Sequence, residues 1–135
     1  MSIFDDQRKM MQAFGQQVGT IDIGQAELYM KLIEEEFHET MTAFAEMLVE
    51  IECRGITPED VVEVADGLID MQVVVAGAGI SLGLPMQSLW NEVHRSNMSK
   101  VGPGGKVIRR DDGKVLKPDT YSPPNLLPII KHGGK

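Results

Sequence analysis

Residues 25–48 read QAELYMKLIEEEFHETMTAFAEML, and residues 57–82 read TPEDVVEVADGLIDMQVVVAGAGISL. In the first stretch Leu28, Leu32, Phe37, Met41, Phe44 and Leu48 recur every three to five residues among strong helix formers, the pattern of an amphipathic helix. The second stretch opens on Thr57-Pro58-Glu59-Asp60, with Thr57 as N-cap, Pro58 at the first helical position and acids in the first turn, where each is favoured. It predicts a helix from Pro58 to about Leu82, nearly 40 Å long at ~1.5 Å per residue. The second half of that helix, Val73 to Ile80, is apolar on every side, so it needs cover all round. Arg54-Gly55 separates the two runs.

Working outward, Ile3–Phe14 reads as a short amphipathic helix with Phe4, Met11 and Phe14 on its apolar side, and Gly15 stops it. Gln16–Gly24 is a connector. A last helix is expected from Pro85 to about Met98, with Met86, Leu89, Trp90 and Val93 inward. Val101–Gly105 is a glycine-rich linker. Asp111-Asp112-Gly113 lies between short apolar-polar runs, which signals a β-hairpin. Pro118–Lys135 is proline-rich and expected to be extended. The fold class is therefore all-α: a bundle of about four helices with a short C-terminal β-hairpin and an extended tail. It forms a single domain over 1–135, divided into a helical body (1–99) and a basic hairpin and tail (100–135). One copy cannot wrap a long helix that is apolar all round, so a homo-oligomer is expected to complete the bundle.

Composition narrows the function. The 135 residues carry a net charge of -7. Residues 1–99 hold 17 acids and 5 bases, whereas residues 100–135 hold 3 acids and 8 bases. The acidic body argues against coating a nucleic-acid polymer, which requires basic surface. An acidic body beside a basic tail suits a multivalent cation next to a polyanion. The single cysteine, Cys53, excludes an intramolecular disulfide and a cysteine-cluster metal site, and fits a reducing cytoplasm. Asp5 and Asp6 stand where a signal peptide would be apolar. The apolar run Met71–Leu84 falls short of a membrane span.

The candidate chemistry lies in the acids. Glu36 and Glu39 share one helix face, as do Glu63 and Asp66. Carboxylates gathered between two helices raise one another's pKa, and a hard divalent cation relieves this. Oxygen donors without cysteine favour Mg²⁺ or Mn²⁺ over zinc. A di-iron bundle needs two Glu-x-x-His motifs. Glu35-Glu36-Phe37-His38 supplies one, but Glu92-Val93-His94 has the wrong spacing, which leaves His38 a partly exposed helix residue. The two acid pairs come level only if the turn lies near residue 51. A helix running unbroken to Arg54 would offset them by on the order of 10 Å. The second helix is therefore expected to end or bend before about Glu50, followed by an irregular stretch to Thr57.

Leu32-Ile33-Glu34-Glu35-Glu36-Phe37-His38-Glu39 resembles the E-E-x-x-E motif of the MazG-like all-α nucleoside triphosphate pyrophosphohydrolases. Glu63-Val64-Ala65-Asp66 resembles that family's E-x-x-D motif at the usual spacing, and the segment Asn97–Lys100 resembles its N-x-x-K element. The resemblance covers about Phe14 to Pro124 and implies assembly as a dimer or, rather, a tetramer. It implies the reaction NTP + H₂O → NMP + PPi, with Mg²⁺, or Mn²⁺ in its place, held by Glu36, Glu39, Glu63 and Asp66. It further implies Glu35 as a second metal ligand or orienter of the attacking water, Asp70 as an added ligand, and Asn97 and Lys100 on ribose or phosphate. Lys114, Tyr121, Lys106 and Arg109 would close over the phosphates. The short chain and its tail resemble phage MazZ-type enzymes, which implies a purine deoxynucleotide such as dGTP and the host cytoplasm as location. Phosphoribosyl-ATP and dUTP or dCTP are the alternative substrates within the same fold. A non-catalytic helical oligomerisation module is the rival outside it. Trp90, Phe14 and Phe37, at helical spacings, are expected in the core, and Cys53 lacks the basic neighbours of a nucleophile.

Overall fold

The computed structural model describes residues 1–133. Its elements are α1 (Ile3–Ala13), α2 (Ile23–Arg54), a 3-10 turn at Pro58–Val61, α3 (Val62–Ser81), α4 (Met86–Met98), a 3-10 turn at Pro103–Gly105 and α5 (Leu127–His132). The chain is all-α, and the described residues form no β-sheet. Contacts divide it into two units, Met1–Leu84 and Pro85–Lys135. The last helix of the expected 1–99 body therefore groups with the tail.

In the first unit α1 and α2 each start on a local cap. The Asp5 carboxylate accepts from the Ser2 backbone N–H at 2.9 Å, and Ser2 Oγ accepts from the Asp5 N–H at 3.3 Å, a reciprocal capping box. Phe4 and Met11 are buried as their spacing predicts, whereas Phe14 lies past the helix end and is 68% exposed. Asp22 Oδ1 caps α2 by accepting from the Gln25 N–H at 3.0 Å. The preceding connector is pinned to the end of α3: the Asp22 N–H donates to the Ser81 carbonyl at 2.8 Å, and Gln25 Nε2 donates to Ser81 Oγ at 2.8 Å.

The expected break before Glu50 does not occur. α2 runs on to Arg54 and is about 48 Å long at ~1.5 Å per residue. Leu48–Arg54 contains no helix breaker, and Arg54 pairs back to Glu50 at 3.1 Å, one helical turn away. Gly55 then ends the helix at φ +80°, a conformation that L side chains rarely adopt. Arg54 also clamps Asp60, whose carboxylate accepts from the Thr57 N–H and hydroxyl. Those bonds hold the Asp60 carboxyl far below the usual range, the Arg54 hydrogen bond most strongly.

α2 and α3 form the principal helix pair. Their register is set by two small residues of α3. A Cβ on Gly77 would stand 2.2 Å from the Tyr29 ring, and one on Gly67 would stand 2.4 Å from Thr40 Oγ1. Tyr29 and Thr40 are both buried. The helices meet closely here because two glycines leave room for two larger side chains.

The apolar half of α3 is covered on part of its circumference only. Val74, Ala76, Gly77, Gly79 and Ile80 are buried, while Val75 is 46% exposed and Ile69 58%. α2 leaves Met41, Leu48 and Val49 exposed as well. Trp90 is 60% exposed and Phe37 47%, so with Phe14 none of the three aromatics expected in the core is buried within one protomer. No helix of the described residues is long and apolar enough to cross a membrane.

In the second unit α4 packs with the tail. The Glu92 carboxylate accepts from Arg95 and from the Asn125 N–H, and Ser99 Oγ accepts from the Ser122 N–H. The expected hairpin is reduced to a turn with one antiparallel bridge, Arg109 to Val115, and no strand among the described residues. Asp112 holds the turn, accepting from Arg110 and from the Lys114 N–H. The tail is not wholly extended. Pro128 sits in the first turn of α5, where its missing N–H costs nothing, and Gly134 and Lys135 lie outside the described residues.

Candidate active site

The interlocked register decides which acids face one another. With Tyr29 against Gly77 and Thr40 against Gly67, Glu36 comes level with Asp70, and Ala43 with Glu63. The offset foreseen for an unbroken α2 is therefore real. The Glu36/Glu39 pair is staggered against Glu63/Asp66, and Asp70 fills the position opposite Glu36. Five carboxylates, those of Glu36, Glu39, Glu63, Asp66 and Asp70, line one cleft of about 200 Å³ together with Thr40, Ala43 and Gly67.

Charge in this cleft is costly. The Glu36 carboxyl is pushed above its ordinary range, first by partial burial, then by Asp70, Glu39, Asp66 and Glu35 in falling order. Asp70 acts most strongly among the charges, as the register requires. At the floor, Thr40 is 2% exposed, and its Oγ1 has no hydrogen-bond partner. A second depression adjoins the first, lined by His38, Glu39, Thr42, Ala43, Glu46 and Glu63. Glu39 and Glu63 border both. His38 is exposed and meets Phe37 edge-on, with 5.8 Å between ring centroids.

The oxygen-only donor set and the raised Glu36 carboxyl fit a hard divalent cation. Among the described residues no three His, Cys, Asp or Glu side chains are drawn together tightly enough to hold an ion in this arrangement. The cleft gathers the donors without closing a cage.

The remaining sequence candidates separate. Glu35 is exposed and does not line the cleft. Asn97 belongs to the second unit, where it lines a shallow pocket with Trp90, Val93 and His94. Its Oδ1 accepts from Lys100 Nζ at 3.1 Å. Lys114 and Lys106 are exposed on the turn segment, and Arg109 donates to the Gly113 carbonyl at 3.1 Å. Tyr121 is half-buried, with Lys117 Nζ 5.0 Å from its ring centroid. Sequence reasoning missed Thr40, Gly67 and Glu46. Glu46 lies one turn beyond Thr42 on the acid face of α2 and was legible by helical spacing. Thr40 and Gly67 show themselves only through the crossing they form.

Comparison with curated proteins returns no match. Residues 7–97 match the family described as phosphoribosyl-ATP pyrophosphohydrolase. That span contains α2, α3 and every carboxylate of the cleft. On this match, over more than half of its length, the chain belongs to the phosphoribosyl-ATP pyrophosphohydrolase family of the MazG-like all-α superfamily, whose members are hydrolases acting on phosphoric anhydrides.

Proposed function

We propose that this nucleotide pyrophosphohydrolase acts with Mg²⁺, or Mn²⁺ in its place, on a purine deoxynucleoside triphosphate such as dGTP, yielding the monophosphate and pyrophosphate. The observation that carries the metal reading is the cleft itself, which five carboxylates line and where Glu36 is held above its ordinary pKa. Glu36, Glu39, Glu63, Asp66 and Asp70 would hold the metal. When bound, the ion neutralises the polyphosphate and acidifies a water molecule. The chain's own contribution is to fix these acids on two helices locked at Tyr29/Gly77 and Thr40/Gly67, so that substrate is positioned rather than reacted with covalently. Asn97, Lys100, Lys114 and Tyr121 are proposed substrate contacts, supported by the net positive charge of their segment. Homo-oligomerisation is proposed to cover Ile69, Val75 and the exposed apolar side of α2.

Phosphoribosyl-ATP is the second reading, after the description of the matched family. Product analysis separates the two. Purified protein is incubated with Mg²⁺ and each NTP, each dNTP and phosphoribosyl-ATP, and the products are resolved. Monophosphate with pyrophosphate, abolished by EDTA and by Glu63→Gln, is the expected result. Orthophosphate release, or turnover that survives both treatments, would overturn the proposal.

A further inference from the structure

One hydroxyl in the acid cleft is buried without a partner. Thr40 lines the cleft and is 2% exposed, and its Oγ1 has no hydrogen-bond partner among the described residues. Thr40 lies inside α2, where a threonine hydroxyl has a ready acceptor in the carbonyl one turn back. That outlet is unused. Oγ1 rests instead against the backbone of α3, 2.4 Å from where a Cβ on Gly67 would stand. A buried hydroxyl left unpaired costs stability, so its presence at this point calls for an acceptor.

The cleft supplies acceptors only. Its other polar side chains are the carboxylates of Glu36, Glu39, Glu63, Asp66 and Asp70, and Thr40 is the one side-chain donor that lines it. The crossing singles out one of these acids. Tyr29 meets Gly77 and Thr40 meets Gly67, so α2 and α3 run antiparallel. Helical side chains lean toward the N-terminus of their own helix. Thr40 therefore leans toward the turn of α2 that carries Glu36, the turn that Asp70 faces. Asp70 follows Gly67 by three residues and leans back over it, toward Thr40. Gly67 puts no side chain between the two. A carboxylate that gives one lone pair to a cation keeps others for a hydrogen bond, and such bonds to metal-ligating groups fix their orientation.

We infer that Thr40 is a positioning residue for the divalent cation: its hydroxyl donates to the Asp70 carboxylate and holds it turned into the cleft when the acids are drawn together around the ion. This rests on the acid cleft being the metal site.

Mn²⁺ titration calorimetry on the protein without nucleotide tests it. Thr40→Val removes the donor and keeps the shape of the side chain, and Thr40→Ala removes it without adding bulk against Gly67. Both should weaken Mn²⁺ binding about tenfold, the scale of a hydrogen bond to a charged group. Thr40→Ser keeps the hydroxyl and should stay close to the parent. In an Asp70→Ala background Thr40→Val should cost little more, because the bond has already lost its acceptor. Unchanged affinity in folded Thr40→Val and Thr40→Ala proteins, or a loss that adds in full to that of Asp70→Ala, would overturn the inference and leave the metal site standing. Failure of Thr40→Ser to keep the parent's affinity would overturn it as well. A parent protein that binds no Mn²⁺ would overturn the metal reading of the cleft, and this inference with it.

Discussion

The α2–α3 crossing gives the sharpest forecast. In Gly77→Ala the added methyl would stand 2.2 Å from Tyr29 Cε1 and 2.6 Å from Cδ1 and Cζ. The ring cannot swing away easily, because Tyr29 is 3% exposed and its hydroxyl is tied to Gln16. Two effects oppose each other. Alanine in a helix interior is favoured over glycine by about 1 kcal/mol. Overpacking a tight contact costs typically 1–3 kcal/mol and occasionally more, and a rigid ring at this distance belongs at or above the upper end. The clash wins, with a net loss of about 2 kcal/mol, or roughly 8 °C in Tm for a domain of this size. Thermal unfolding of both proteins at one fixed concentration measures it, since association changes apparent stability. Combining the change with Tyr29→Ala should give a loss well below the sum of the single losses, because the double variant has no ring to strike. A Gly77→Ala protein as stable as the parent, or more so, would show that helix propensity dominates and that this close crossing is not what sets the register.

Three further outcomes follow from the site and the tail. Calorimetric titration with Mn²⁺ should show Asp70→Asn weakening binding about tenfold or more, while Glu35→Gln changes it little, because Asp70 lines the cleft and Glu35 does not; equal effects would contradict the register. Glu36 has a raised carboxyl pKa, so the metal-free folded protein binds its proton more tightly than the unfolded chain. Its contribution to stability is present below the ordinary glutamate pKa and is lost as pH rises through the raised value; denaturant unfolding should show that slope in the parent and not in Glu36→Gln, and Mg²⁺ binding should weaken on acidification through the same window. Glu92 behaves oppositely, held down to about 2 by the Arg95 hydrogen bond and the Asn125 N–H. Its contribution persists above the ordinary glutamate value and is lost only as pH falls through about 2, so at neutral pH Glu92→Gln should speed hydrogen exchange at Asn125 while α4 amides keep their protection; an unchanged Asn125 rate would refute the anchoring role.

Much of the fold is written locally. Thr57-Pro58-Glu59-Asp60 specifies a helix start with its own side chains, and the structure shows the Asp60–Thr57 bonds there. The spacing of Phe4 and Met11 placed both in the core. Trp90 and Phe37 are exposed because helical spacing identifies an apolar face but not what covers it, and Phe14 because it lies past the end of α1. The hairpin forms only in part: the Arg110 N–H donates to the Lys114 carbonyl and the Leu116 N–H to the Ile108 carbonyl around the Asp-Gly turn, with one bridge and no strand among the described residues.

The amino-acid sequence alone determined that Glu36 and Glu39 lie on one helix face and that Glu63 and Asp66 lie on another. Those facts depend on 3.6 residues per turn, which is local. Which acids face one another across the helices was decided only by tertiary packing. The register follows from how Tyr29 and Thr40 fit over Gly77 and Gly67, contacts between residues far apart in the chain. That interlock brought Asp70 opposite Glu36 and left Glu35 outside the cleft. Tertiary packing also set α1 beside α3, where Gln7 lines the cavity between them, a juxtaposition that no spacing within either helix encodes.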